Sequence, residues 1–187
     1  TVFDAERVEY VGDKWTYDPL QYWMTDREHD YYFYAVAPVD NAAITVNKEL
    51  NDKGLGTIDF KNSNGTVDLL YAEKHVAVIN GQTDVVKLQF AHLLSKVKFT
   101  FQNAFPEGGY NTLKVENITI SDAPSEGEVV LNGDARSWEI KGNGTTLNFG
   151  NVNGGVALNP TEKGESDFER LTIPAADNVR YKIDFDM

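Results

Sequence analysis

Cysteine is absent from this 187-residue chain. That removes disulfides, thiolate metal sites and cysteine nucleophiles together, and it fits either the cytosol or a bacterial exterior that does without disulfides. No apolar run approaches the ~18 residues of a membrane-spanning helix, so no direct membrane span is expected. Basic residues are outnumbered, 17 Lys and Arg against 29 Asp and Glu, for a formal charge of −12. Such a surface repels phosphate backbones and anionic lipid headgroups, which excludes nucleic acid as a partner and weighs against docking on an anionic membrane. No internal repeat, low-complexity tract or proline-rich linker is present. Long amphipathic helical patterns are missing too; the best helix candidate is AAITVNKELN at 42–51, where Ile44-Thr45-Val46 suits a strand almost as well.

Catalytic devices are equally scarce. There is no G-x-S-x-G elbow, no P-loop and no G-x-G-x-x-G opening a helix. His29, His75 and His92 do not stand at metal-ligand spacing, and the acidic stretch at 18–30 has no D-x-D-x-D-G frame. A glycosidase needs two carboxylates across a cleft, and nothing in the sequence marks out one pair. The chain therefore reads as a non-enzyme with no catalytic residue, metal or cofactor. The sequons at Asn64, Asn117 and Asn143 read as turn and strand composition in a bacterial protein.

What is abundant is the large ring. WTYDPLQYW at 15–23 and YYFYAVAP at 31–38 place Trp15, Tyr17, Tyr22, Trp23, Tyr31, Tyr32, Phe33 and Tyr34 within twenty residues of one another. So many rings cannot all face water without forming an adhesive patch. The expectation is that most anchor a core, with sugar stacking at Trp15, Tyr17 or Trp23 as the alternative and Asp18 and Asp26 flanking the cluster.

Period-two alternation dominates the rest. Tyr181, Ile183 and Phe185 alternate with charged residues, Thr145, Leu147 and Phe149 alternate in TTLNF, and Ile118 with Ile120 in NITIS. Asn64-Gly65, Gly108-Gly109, Asn132-Gly133, Asn143-Gly144 and Asn153-Gly154-Gly155 supply turns that accept positive φ. Short strands punctuated this way predict an all-β sandwich or barrel. In VVKLQFAHLLSKVKFTF, Val86, Leu88 and Phe90 set an inward face on even positions, whereas Val97, Phe99 and Phe101 set it on odd ones. The chain must slip by one residue between Ala91 and Lys96, through a bulge or a crossover near His92 to Ser95. His92 is expected to tie off backbone at that irregular point. A boundary in the loop at 80–84 would divide the chain into domains 1–84 and 85–187, the alternative being one continuous β domain over 1–187.

Three segments taken in order resemble the fimbrillin family, the pilin-type subunits of Bacteroidales type V fimbriae. They are the run from Phe3 through Val8, Tyr10 and WTYDPLQYW to YYFYAVAP, then DLLYA at 68–72, then LQFAHLLSKVKF at 88–99; together they cover about half the chain. The resemblance implies two transthyretin-like β-sandwich domains, a lipoprotein precursor, and residence in a fimbrium at the cell outer membrane and extracellular surface. It also implies assembly with other fimbrial subunits by strand exchange, in which a protease removes an N-terminal strand and a neighbour's strand fills the groove. The lipobox cysteine and the removable strand are not within these residues; Thr1 reads as a processed or engineered start, and a further C-terminal part is expected beyond Met187.

The expected function is thus a fimbrial structural or tip adhesive subunit, with a host or bacterial surface glycan or protein as a further partner. Trp15, Tyr22, Trp23, Phe33, Leu88, Phe90 and His92 are the expected structural anchors. The alternative from another class is a carbohydrate-binding module of a surface glycan-uptake system, using Trp15, Tyr17 and Trp23.

Overall fold

A computed structural model of the chain describes residues 3, 5–24, 29–47, 56–78, 85–132, 135–174 and 180–187. Among these residues the chain is all-β. The first strands are β1 (Glu9–Val11), β2 (Lys14–Thr16), β3 (His29–Ala37), β4 (Ile44–Asn47), β5 (Thr57–Lys61), β6 (Leu70–Val78), β7 (Ala91–His92) and β8 (Ser95–Val97). They are followed by β9 (Thr100–Gln102), β10 (Glu116–Ala123), β11 (Glu126–Asn132), β12 (Ala135–Ile140), β13 (Thr145–Gly150), β14 (Lys163–Glu165), β15 (Arg170–Thr172) and β16 (Lys182–Asp186). One 3-10 turn, Asn153–Gly155, interrupts the series. The segment that could have been a helix forms β4, because its β-branched Ile44-Thr45-Val46 pairs with β5; positions 48–51 lie outside the described residues.

The strands form two compact units that interleave along the sequence. Residues 1–39 and 70–91 make the first, residues 40–69 and 92–187 the second. A single cut near residue 84 does not describe this division, because β4 and β5 join the second unit by pairing β5 with β11, Ile58 opposite Val129. The loop at 80–84 itself lies outside the described residues.

In the first unit, β1 and β2 make a hairpin that sets Tyr10 opposite Trp15, turned through Gly12 and Asp13 at positive φ, the geometry of a tight primed turn. Strand β3 pairs with β6 over nine residues, from His29 opposite Val78 to Ala37 opposite Leu70. One face of this ladder carries Tyr31, Phe33 and Ala35 with Ala72, Lys74 and Val76; the other carries Tyr32 and Tyr34 with Glu73 and His75.

The second unit is a layered β structure. Sheet β13-β10-β16 contributes Ile118, Ile120, Leu147 and Phe149 to a buried cluster completed by Val115, Val152 and Leu158. Against it pack Val97 of β8, Phe101 of β9 and, in the gap between these strands, Phe99; β8 pairs with β15 and β9 with β14. The strict alternation of NITIS and TTLNF aims every second residue at this core. Gly164 on β14 lies so close beneath it that a Cβ there would come within 2.5 Å of Val152 Cγ1, so the absence of a side chain sets the depth of the strand. A four-stranded sheet, β12-β11-β5-β4, buries Ile58, Phe60, Val129 and Leu131 on its inner face.

Full burial of Phe149 gives a measurable consequence. Phe149→Ala should lower unfolding free energy by about 3–5 kcal/mol through lost transfer energy and a residual cavity. Tyr22→Ala, at an exposed ring, should stay within about 0.5 kcal/mol. Urea denaturation of both variants reads the contrast, and equal losses would contradict this packing.

Candidate functional site

The expected anchors are distributed over several environments. Trp15 is 71% exposed and Tyr22 81% exposed, so neither is a buried anchor among the described residues. The reason for Trp15 is local: it stands on a two-stranded hairpin whose facing partner is Tyr10, with ring centroids 5.2 Å apart, and two strands offer little to bury a ring against. Trp23 and Phe33 are half-buried and touch edge-to-face at 5.9 Å. Phe3 bridges Phe33 to Tyr17 at 5.9 and 5.3 Å, and Tyr31 packs on Trp23 at 4.9 Å. Tyr17 and Trp23 thus share one row of rings, while Trp15 belongs with Tyr10. Asp26, the expected flanking carboxylate, lies outside the described residues.

Leu88 and Phe90 are exposed, within a segment at 85–90 that carries no strand. The expected even-numbered inward face is therefore not seen; Leu93 and Leu94 are consecutive and both buried, and Val97, Phe99 and Phe101 keep the odd-numbered inward alternation. His92 immediately precedes that buried pair. Its Nδ1 donates to Asp68 Oδ2 at 2.6 Å, while Asp68 Oδ1 accepts from the Leu69 amide and Leu69 O accepts from the Leu93 amide. His92 is thus linked through the Asp68 carboxylate to the backbone at Leu69, all within the second unit. This clasp joins DLLYA to AHLLSK, two of the segments that carry the family resemblance.

The most distinctive feature of the second unit is that its core is closed on one flank and open on the other. On β13, Leu147 and Phe149 are 1% and 0% exposed; on β16, Ile183 and Phe185 are 46% and 40% exposed. Yet Ile183 pairs directly with buried Ile120, so it projects from the core face of its sheet. Phe185 is held by one edge-to-face contact, to Phe101 on β9 at 5.2 Å. Tyr181, Val97, Phe99 and Phe101 are likewise only partly covered.

Strands β8 and β9 border this open flank. Their inner neighbours are β15 and β14, and among the described residues no strand pairs with their other edge. Phe99 O accepts from the Ser166 amide, and Asn103 donates to Glu162 O, so odd residues direct their backbone groups to the paired side. Antiparallel geometry then points the N–H and C=O of Lys96, Lys98, Thr100 and Gln102 outward, to the unpaired side. The lysines are tethered: Lys96 Nζ lies 2.9 Å from Glu169, and Lys98 bonds Glu165, which raises the Lys98 pKa.

Polar groups elsewhere act structurally. On the outer face of the four-stranded sheet, Asp59 accepts from Asn47 Nδ2 at 3.0 Å and from Lys141 Nζ at 3.0 Å. Those bonds, Asn47's first, hold the Asp59 carboxyl below its ordinary pKa. Lys141 also reaches Glu128 at 3.2 Å. Among the described residues no group of three or more acidic or histidine side chains could hold a metal ion. Fully buried Tyr71 and Phe60 were not among the expected anchors, and neither was Trp138. Trp138 meets Phe60 edge-to-face at 6.0 Å and donates from Nε1 to Leu93 O at 3.3 Å; its alternation within WEI and its distance from the aromatic-rich N-terminal part were the available signals.

In comparison with known proteins, the fimbrillin-like family model matches residues 1–186. No curated protein and no solved structure matches the chain.

The Asp59 contacts have a testable pH signature. A carboxyl whose pKa is depressed in the folded state adds stability above its unfolded value, about 3.9, and that stability is lost as pH falls through the lower folded value. Asn47→Ala should raise the Asp59 pKa toward the ordinary range and narrow that acid-side loss. Carboxyl-detected NMR titration measures it; an unmoved Asp59 would contradict the assignment of Asn47 as the leading cause.

Proposed function

Because the chain belongs to the fimbrillin-like family, we propose that it is a subunit of a cell-surface fimbrium that joins its neighbours by donor-strand complementation. The observation that carries this reading is the open flank between β9 and β16. An apolar inner face left half-covered beside an unpaired strand edge has two deficits at once: apolar surface in water and backbone groups without strand partners. One extended segment from a neighbouring subunit relieves both. Its main chain pairs with the outward groups of Lys96, Lys98, Thr100 and Gln102, and its alternate side chains cover Phe101, Ile183 and Phe185.

Charge supports the assembly chemistry in a simple way. The subunit carries −12, which keeps free molecules apart and soluble, so association depends on the short-range match of strand to edge. Nothing in this function requires bond-making chemistry. The reading includes a transthyretin-like sandwich and a structural or adhesive place in the fibre. The carbohydrate-module alternative built on Trp15, Tyr17 and Trp23 has less support, since Trp15 and Trp23 belong to separate ring groups.

Proline at an outward-facing edge position removes the donor that an incoming strand would use, while leaving the bonds to β14 and β15 intact. Thr100→Pro and Lys98→Pro should each fold as monomers with native melting behaviour and fail to polymerise. The wild-type precursor, after limited proteolysis at arginine, should form ladders on electrophoresis. Persistent ladders in both proline variants would overturn this edge as the acceptor.

A further inference from the structure

The ladder of β3 with β6 has a face that assembly by the open flank does not use. We propose that this face, through Tyr32, Tyr34, His75, Asp30 and Glu73, is a stacking platform for a short neutral saccharide. Register places Tyr32 opposite His75 and Tyr34 opposite Glu73, so all four side chains rise from the same side of the sheet, and Asp30, two residues before Tyr32, joins them. The Tyr32 ring lies flat on the His75 imidazole, centroids 4.5 Å apart and planes 11° apart. His75 Nε2 is bonded to Asp30 Oδ1 at 2.9 Å, which fixes the imidazole and, through it, the tyrosine. With one ring face spent on His75, Tyr32 remains 61% exposed; its other face is open and already oriented.

Tyr34 stands two residues further along, about 7 Å by the strand rise, and is 39% exposed. Burial first, then the Glu73 carboxylate, raises its hydroxyl pKa, so Tyr34 stays a hydrogen-bond donor at neutral pH. Glu73 accepts from Tyr71 through Oε2, and Asp30 uses Oδ1; among the described residues, Glu73 Oε1 and Asp30 Oδ2 are left as strong acceptors beside the rings. Apolar ring faces bordered by carboxylate acceptors match a molecule with an apolar C–H face and a rim of hydroxyl donors, which is the make-up of a pyranose.

Other ligand classes fit less well. Two carboxylates outnumber the one imidazole, and Lys74 pairs with Phe33 on the opposite face, so among the described residues of this face phosphate or sulfate groups meet no lysine or arginine. A macromolecular partner is too large. The platform runs about 13 Å along the strand and two strands, about 5 Å apart, across. That is far below the ~800 Å² per partner of a stable protein interface.

NMR titration of the free, unpolymerised subunit tests the platform with maltotriose, cellotriose, chitotriose and mannotriose, using 3′-sialyllactose as the anionic comparator. At least one neutral trisaccharide should shift the Tyr32, Tyr34 and His75 signals saturably, and more tightly than the comparator. Tyr32→Ala should weaken that binding about three- to tenfold, the value of one ring contact, while Tyr32→Phe and Trp15→Ala leave it unchanged. Should Tyr32→Ala fail to fold, the signal map and Tyr32→Phe still decide. No saturable shift at these residues with any of the four sugars, or binding lost on Trp15→Ala, overturns the proposal. Ladder formation is read separately, so assembly and saccharide binding can each fail alone.

Discussion

A backbone N–H or C=O withdrawn from water needs a partner, and a sheet edge is a row of such groups. In the second unit that requirement coincides with incomplete coverage of the core. The edge of β8 and β9 lies beside Phe101, and Phe101 touches Phe185 on the half-exposed inner face of β16. The opposite flank shows what completion looks like: on β13, Leu147 and Phe149 are fully covered. The same sheet therefore contains a finished side and an unfinished one, and the unfinished side has the chemistry of a place for one more strand.

Strands with strong alternation and long-range partners were legible in the sequence. NITIS and TTLNF became β10 and β13, with Ile118, Ile120, Leu147 and Phe149 buried as their period requires. The parity conflict read between Ala91 and Lys96 rested on Leu88 and Phe90 facing inward, whereas both are exposed in a segment that carries no strand; only the odd-numbered half of that alternation, Val97, Phe99 and Phe101, faces the core. Ring exposure was not legible, because density of aromatics in a segment says nothing about how many layers that segment can reach. Trp15 sits on a two-stranded hairpin and stays in water, whereas the isolated Trp138 lies on a four-stranded sheet and packs on Phe60. Interleaving of the two units was also hidden, since it depends on which strand β5 pairs with, a choice that local pattern does not encode.

The two surfaces of interest differ in kind. At the open flank the recognition elements are main-chain groups, which any extended segment of suitable alternation can satisfy. On the β3–β6 face they are side chains held by one another, Asp30 fixing His75 and His75 fixing Tyr32. The first suits repeated addition of like subunits and the second suits selection of a small ligand. The Asp68–His92 pair belongs to neither; it joins two segments of the second unit that are far apart in sequence.

Amide hydrogen exchange resolved to single residues, compared between free and polymerised subunits, distinguishes an open edge from a filled one. The amides of Lys96, Lys98, Thr100 and Gln102 should exchange rapidly in the free subunit and become protected in the polymer, while those of Phe99 and Phe101 are protected in both. Equal exchange at the even positions in the two states would contradict strand addition at this edge.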